Sequence, residues 1–449
     1  VEEKETLYSI SRKYKVSIDD ILRNNEDVAS KGLKKGTDIR IPIQNLEITS
    51  RIPNDSLKPI SIITPTVDCN TLDYKIKNNK IVVSLLLPFN TKGVADTEEE
   101  DSNSPYKNTV NPLSANFIEF YQGILIAADE LKKEGYILTI NTFDTQKDTL
   151  AINEILKNKE FEKSNIIIGP IYGDQVRMVS SFVQKKEIYT IIPVGNYEET
   201  INSNPYIFQI QPNIEEEFKT ISKLLNADSV EKIIVIYPKY ESETTNNKLK
   251  NILYEEFKEN IGKLIEIYSS VSDLNNALDN LDSLKNNFVI CPSTDEIFVT
   301  SLLSQIESRL ILYRVQTIGR PEWTNFINID QNYLYHQKLT VISPYYLDYN
   351  NENIINYLKI YRKYFGTEPF RRSKGGFNYS MLGYDIFKHF VKSYSILGRD
   401  MNKYINCIKN PDLLKVDFLF KENSPNGCLI NTKLNTIYYQ KNFSIYHTR

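Results

Sequence analysis

The side chains suited to acid–base, nucleophilic or metal chemistry are few in this chain. His336, His389 and His447 lie far apart, with no His-Glu-x-x-His or comparable ligand spacing. Cys69, Cys291, Cys407 and Cys428 form no Cys-x-x-Cys pair and share no metal-ligand spacing with the histidines. No Gly-x-Ser-x-Gly elbow, phosphate-binding loop or dinucleotide fingerprint occurs. The stretch "GLKKGT" (32–37) approaches the glycine spacing of a phosphate loop but lacks its Lys-Ser/Thr ending. Cys291 follows an apolar strand and would be the nucleophile of a Cys–His hydrolase, but a buried structural thiol is the ordinary reading. Trp323, in "GRPEWTNF", reads as a packing residue, with a carbohydrate-stacking platform as the sharper alternative. Cys407 and Cys428 share a loop-rich C-terminal segment where a disulfide is conceivable, against four unrelated thiols. No catalytic residue, cofactor or metal is expected, so the sequence reads as a non-enzyme.

Composition narrows the partners. The chain has 449 residues, with Lys plus Arg 54 against Asp plus Glu 57 and a net charge of −3. No basic excess argues for nucleic acid or an anionic membrane surface. The longest apolar run, "IVVSLLLPF" (81–89), has the length of a strand, far below the ~18 residues of a membrane span. The length calls for two or three domains.

The elements at the N-terminus form a small unit. Leu7, Ile10 and Tyr14 put an apolar stripe on one helix, with Thr6 as its N-cap. Ser17 and Asp20 offer reciprocal capping to a second helix with Ile18, Ile21 and Leu22 on its apolar face. Gly32 and Gly36 allow turns before a strand at 38–41, which Pro42 closes. Val1 begins a partner strand, so the order is strand–helix–helix–strand.

Val1, "ETLYSISRKY", "VSIDDILRNN" and "GLKKGTDIRIP" resemble the LysM module, a glycan-binding domain of bacterial cell walls. The resemblance implies a groove for N-acetylglucosamine-containing glycan, formed by Glu5, Thr6 and Leu7 on one side and Asn25, Glu26 and Asp27 on the other. Two departures are Lys4-Glu5-Thr6 where the family has Gly-Asp-Thr, and Asn25-Glu26 where it has Asn-Pro. Val1 falls on the first-strand Val of the module, so a preceding segment, including any signal sequence, is expected to have been removed.

Residues 44–79, with Pro53, Pro59 and Pro65 among Ser, Thr and Asn, read as an extended linker behind the module at 1–43. From Lys80 strands and helices alternate. "KIVVSLLLP" is continuously apolar, as in a strand buried on both faces. Helix "FYQGILIAADELKKEGY", strand "YILTINTFDT", helix "LAINEILKN", strand "NIIIGP", helix "DQVRMVSSFVQKK" and strand "IYTIIPVG" follow. A second series opens with "PYIFQIQP" and runs through "EKIIVIYP", "KLIEIYSS" and "NNFVICPS". Two βα series predict an α/β protein with two parallel-sheet lobes. Ligands of such sheets bind beyond the carboxyl ends of the strands. That selects as cleft-lining Pro88, Phe89, Asn90, Asp144, Gly169, Pro170, Ile171, Tyr172, Gly173, Gly195, Asn196, Tyr197, Tyr237, Tyr240, Pro292 and Ser293.

The order "VVSLLLPF", "FYQGILIAADELKKEGY", "FDTQKD", "IIIGPIYGDQV", "YTIIPVGN", "KYFGTEP", "SMLGYDIFKHFVKS" and "FLFKENSPNGCLINT" resembles the type I periplasmic-binding-protein fold of branched-chain amino acid receptors. It implies three hinge crossings: lobe 1 over 80–204, lobe 2 over 205–340, a return to lobe 1 over 341–410, and closing strands at lobe 2 or the hinge over 411–449. Receptors of this family hold small amino acids through Ser/Thr hydroxyls and backbone N–H groups near the third and fourth strand ends. Here those loops read "GPIYGD" and "PVGNYEE", without the family's Ser/Thr-Ala-Thr cluster. A long insertion carrying "DTEEED" (96–101) separates the first strand from its helix and reads as a solvated loop, or as a lid or partner-binding element. The combination is similar to activators of peptidoglycan synthases, which use this fold without transport. The expected protein is a periplasmic or envelope scaffold that binds peptidoglycan and a protein partner. The alternative is a solute receptor serving an importer.

Overall fold

The computed structural model describes residues 6–14, 21, 25, 28, 36–41, 68–91, 112–197, 201–225, 230–240, 243–258, 261–369 and 378–448. Most of the expected linker, and the "DTEEED" insertion, lie outside the described residues.

In the N-terminal module, α1 (Leu7–Tyr14) starts at a reciprocal cap. Thr6 Oγ1 accepts the Ser9 N–H at 3.1 Å, and Ser9 Oγ accepts the Thr6 N–H at 2.9 Å. Two donors at the helix start that lack intrahelical partners are thereby satisfied. Ile10 and Ile21 are buried, and Leu7, Ile39 and Ile41 pack against them.

The larger region divides into two compact units, one of residues 62–217 and 343–435, the other including 218–342 and 436–448. The first unit contains β1 (Lys80–Leu87), α2 (Pro112–Lys133), β2 (Ile137–Asp144), α3 (Thr149–Leu156), α4 (Lys159–Glu162), β3 (Ile166–Ile168), α5 (Gly173–Lys186), β4 (Tyr189–Ile192) and β5 (Ile207–Gln209). The passage to the second unit falls within α6 (Ile214–Leu225). There follow β6 (Lys232–Pro238), α7 (Glu243–Phe257), β7 (Leu264–Ser269), α8 (Leu274–Leu278), β8 (Asn286–Ile290), α9 (Glu296–Arg309), β9 (Arg314–Gly319), α10 (Gln331–His336) and β10 (Thr340–Ser343). The chain returns through α11 (Glu352–Phe365), α12 (Tyr379–Leu397), α13 (Met401–Tyr404), β11 (Phe420–Glu422) and β12 (Leu429–Asn431). It ends on β13 (Asn435–Tyr439) and β14 (Ile445–Thr448).

Each unit holds a seven-stranded sheet, and the two sheets share one plan. Their orders are β11-β12-β5-β4-β3-β1-β2 and β14-β13-β10-β9-β8-β6-β7. Strands β1 to β5 pair in parallel, as do β6 to β10, while β11 and β14 pair antiparallel at the edges. In each sheet the first strand lies between the second and third, so the winding reverses beside β1 and beside β6. The central strands are the apolar ones: Val83, Leu85 and Leu87 in β1 and Ile233 through Tyr237 in β6 are fully buried. "PYIFQIQP" was expected to open the second series, but β5 pairs with β4 and β12 in the first sheet. Strands of three residues carry too little pattern to show which sheet they join.

Helices α2 and α12 cover the first sheet and cross closely through two glycines. A Cβ on Gly123 would lie 1.8 Å from Ser380 O, and one on Gly383 would lie 2.1 Å from Phe120 O. Beside the crossing, Lys388 Nζ donates to Glu130 Oε2 at 3.0 Å and to the Tyr384 hydroxyl at 2.6 Å. Further along, the fully buried Asp385 accepts the N–H groups of Leu414, Lys415 and Val416 at 2.8–2.9 Å. That holds the return segment against α12. A disulfide ties Cys69 to Cys407 across 338 residues of chain. This corrects the Cys407–Cys428 pairing considered from sequence; Cys428 and Cys291 are buried thiols. Among the described residues no helix is long and apolar enough to cross a membrane.

Candidate functional site

The N-terminal groove is the first candidate. Of its six sequence-selected residues, Thr6, Leu7 and Asn25 are described, and Glu5, Glu26 and Asp27 lie outside the described residues. Thr6 is engaged as the helix cap, and Leu7 rests on the small core. Asn25 is a clamp: its Nδ2 donates to Ile21 O at 2.6 Å and to Arg40 O at 2.7 Å, and its Oδ1 accepts the Arg40 N–H at 2.7 Å. It ties Ile21 to Arg40.

In the first sheet the reversal beside β1 places Pro88, Phe89 and Asn90 just past the strand, next to Asp144 at the end of β2. The Asp144 carboxylate faces its own chain. It accepts N–H groups from Phe89 (3.0 Å), Asn90 (3.1 Å), Thr91 (2.9 Å) and Gln146 (3.0 Å), and the Thr91 hydroxyl at 2.7 Å. Burial pushes the Asp144 pKa up, but the hydrogen bonds from Thr91, Gln146 and Asn90 outweigh it and hold the carboxyl below its ordinary value. Asp144 is thus an ionised latch that shapes the β1 loop. Asn90 extends the latch by donating to Ser114 Oγ at 3.0 Å on α2.

At the ends of β3 and β4, Gly169, Pro170, Ile171, Tyr172 and Gly173 meet Gly195, Asn196 and Tyr197. Tyr197 dominates this junction. Its hydroxyl donates to Ile171 O, and its ring lies over Gly173 and against Gly195. A Cβ on Gly195 would come within 2.5 Å of that hydroxyl, and its φ of +91° is also one that other residues avoid. Burial raises the pKa of Tyr197 and of Tyr172, so both stay neutral. Lys147 sits 5.4 Å from the centre of the Tyr172 ring.

Sequence reasoning missed the residues that organise this junction. Gln211 Oε1 accepts the Gly195 N–H at 3.0 Å, and Gln209 Oε1 accepts the Tyr197 N–H at 2.9 Å. Asn213 accepts from Asn196 Nδ2 at 3.0 Å and from Gln209 Nε2 at 3.3 Å. The signal was the alternation in "FQIQPN", which puts Gln209 and Gln211 on one side of the chain leaving β5. Two backbone donors of the β4 loop are therefore engaged by the protein itself.

The second sheet separates its candidates. Tyr240 is 90% exposed, while Tyr237 is fully buried. The Tyr237 hydroxyl donates to Glu266 Oε1 at 3.0 Å, and its ring stacks on Tyr268 at 5.0 Å. Pro292 and Ser293 are buried beyond β8, and Ser293 O accepts the Trp323 indole N–H at 2.8 Å. Trp323 is fully buried against Gly319, which makes it a packing residue and excludes a stacking platform. Among the described residues no group of three or more His, Cys, Asp and Glu could hold a metal ion.

Comparison with known proteins fits this geometry. The LysM domain model matches residues 1–42. No curated protein matches the chain. Among solved structures, a Rhodospirillum rubrum protein assigned to branched-chain amino acid ABC transport superposes at a TM-score of 0.57 with 10% identity, covering 81% of this chain and 98% of that one. An ABC transporter substrate-binding protein from Desulfitobacterium hafniense gives 0.52 with 14% identity, over 82% and 100% of the two chains. The C-domain of LpoA from Haemophilus influenzae, described as a regulator of PBP1A, gives 0.50 with 12% identity, over 82% and 100%. The chain thus joins a LysM domain at residues 1–42 to a two-lobed α/β region with the type I periplasmic-binding-protein fold.

Proposed function

We propose that this is a non-enzymatic protein of the periplasm or cell envelope. Its LysM domain binds the N-acetylglucosamine-containing glycan of peptidoglycan, and its two-lobed region acts as a protein-binding regulator or scaffold. One observation carries the choice of scaffold over solute receptor. The β4-end amides of Gly195 and Tyr197 are held by Gln211 and Gln209, with the Tyr197 ring across Gly173 and Gly195. An amino acid seeking those donors would have to displace the protein's own side chains and leave buried polar groups unpaired. The LpoA C-domain, described as a PBP1A regulator, provides a precedent for a regulator built on this fold. A receptor serving an importer is the second reading, favoured by the fold shared with the Desulfitobacterium substrate-binding protein.

Thermal unfolding of the full chain against amino acids, short peptides, sugars and muropeptides separates the two. A ligand at a hundred times its dissociation constant stabilises the folded state by about 2.7 kcal/mol. The scaffold reading expects no shift from free amino acids, and a clear shift with one of them would establish the receptor.

A further inference from the structure

We infer that the amino-end rim of the second sheet is a docking surface for an acidic, aliphatic-bearing segment of a protein partner. The inference rests on the reading of the two-lobed region as a protein-binding unit, and it names where and by what chemistry. At the amino ends of β8 and β9 lies a pocket of roughly 370 Å³ whose lining combines the amides of Asn286, Asn287 and Gln316 with Phe288, Leu310, Tyr313 and Val315 and the cations Arg314, Lys338 and Lys441. The three cations come from separate stretches. Arg314 opens β9, Lys338 precedes β10, and Lys441 lies in the β13–β14 turn. The Tyr439 N–H bonds Leu339 O at 2.9 Å, which brings that turn to the start of β10. Among the described residues no ion pair engages any of the three. Two carboxylates lie beside β8 and keep their charge: Glu231 accepts the Asn286 N–H at 2.8 Å, and Asp282 accepts the Leu284 N–H at 2.9 Å.

Exposed aliphatic side chains occur in the stretches beside the pocket. Ile311 is 90% exposed and Leu312 is 71% exposed, between the lining residues Leu310 and Tyr313. Leu284, ahead of β8, is 87% exposed. A single exposed aliphatic needs no explanation, but three near a hollow whose cations outnumber its carboxylates make a two-part surface. The guanidinium fork of Arg314 suits a carboxylate, and Lys338 and Lys441 add positive field in a chain that is negative overall. A partner presenting carboxylates flanked by aliphatic side chains matches both parts. A concave hollow receives protruding side chains rather than the plane of a lipid surface.

The test uses the full chain and a fluorescein-labelled peptide of repeating Glu-Glu-Leu-Leu, read by fluorescence anisotropy. Control peptides carry Lys for Glu or Ser for Leu, and phosphatidylglycerol–phosphatidylcholine vesicles form a separate arm. The acidic–aliphatic peptide is expected to bind, the controls to bind far less, and Arg314→Glu/Lys338→Glu/Lys441→Glu to weaken binding about tenfold or more. Leu312→Ser, which leaves the charges intact, should weaken it as well. Circular dichroism and the thermal midpoint check that both variants fold. Equal binding by the wild type and the triple variant, no binding by the wild type, or binding to vesicles alone would overturn the inference. Photo-cross-linking in intact envelopes from Leu312 and from other exposed positions separates the two levels. Protein capture only from positions away from Leu312 overturns this surface and leaves the protein-binding reading standing; capture from none overturns both.

Discussion

Replacing His389 by phenylalanine should remove an acid sensitivity of the first unit. His389 is buried on α12, its ring stacked on Phe418 at 4.4 Å and its Nδ1 accepting from Asn410 Nδ2 at 2.7 Å. Its Nε2 is buried without a hydrogen-bond partner among the described residues. Burial, with the nearby Lys409 charge adding to it, pushes the His389 pKa down to about 3 from 6.5. The unfolded chain therefore binds a proton between pH 6.5 and pH 3 that the folded chain refuses, and stability falls as pH drops through that window. At pH 5 this one group withdraws about 2 kcal/mol relative to pH 8. Asp385, one turn earlier on the same helix, has its pKa raised by burial and contributes with the opposite sign below neutrality. Only the difference between wild type and variant isolates the histidine. Phenylalanine keeps the ring stack but leaves the Asn410 donor unpaired, a loss of ~1–2 kcal/mol that does not vary with pH. Urea unfolding followed by circular dichroism at pH 8 and pH 5 reads the difference. The wild type should lose about 2 kcal/mol more than His389→Phe, near 1 M in midpoint at an m of ~2 kcal/mol/M. Trp323, buried in the second unit, supplies a fluorescence control for that unit. Equal pH dependence in the two proteins would show that His389 carries no such acid sensitivity.

Two further substitutions probe what holds the first unit together. Gly123→Ala places a methyl 1.8 Å from Ser380 O, so α2 and α12 must part; a net loss of ~3 kcal/mol is expected by denaturant unfolding, even after alanine's better helix propensity. Cys69→Ser removes a cross-link closing 338 residues and should lower stability by about 6 kcal/mol in the chain-entropy account, with reductant having no further effect on the variant in a thermal melt.

The parts of the fold that were legible in sequence had length and period on their side. The apolar runs of β1 and β6 fit strands buried on both faces, and the Thr6 cap and the Leu7–Ile10 stripe marked α1. Short strands gave no such signal, which is why β5 was read into the second series although it pairs in the first sheet. The Cys69–Cys407 bond spans nearly the whole two-lobed region, and proximity in sequence carries no information about such a pair. Strand-end logic located Asp144 and Tyr197 but not what they do. Their roles depend on which groups face them, Asp144 on Thr91 and Gln146, Tyr197 on Ile171 O. The sequence did not single out Asp385 or Lys388, because their partners, the N–H groups of Leu414–Val416 and the Glu130 carboxylate, come from distant stretches of chain.

The proposed function has the LysM domain hold the two-lobed region at peptidoglycan. Sedimentation of the full chain with purified insoluble peptidoglycan decides this, run alongside the chain lacking residues 1–45 and in the presence of soluble N-acetylglucosamine oligomers. The full chain should pellet, the oligomers should release it, and the shortened chain should stay in the supernatant while keeping its circular dichroism. Undiminished pelleting of the shortened chain, or a full chain that stays in solution, would contradict it.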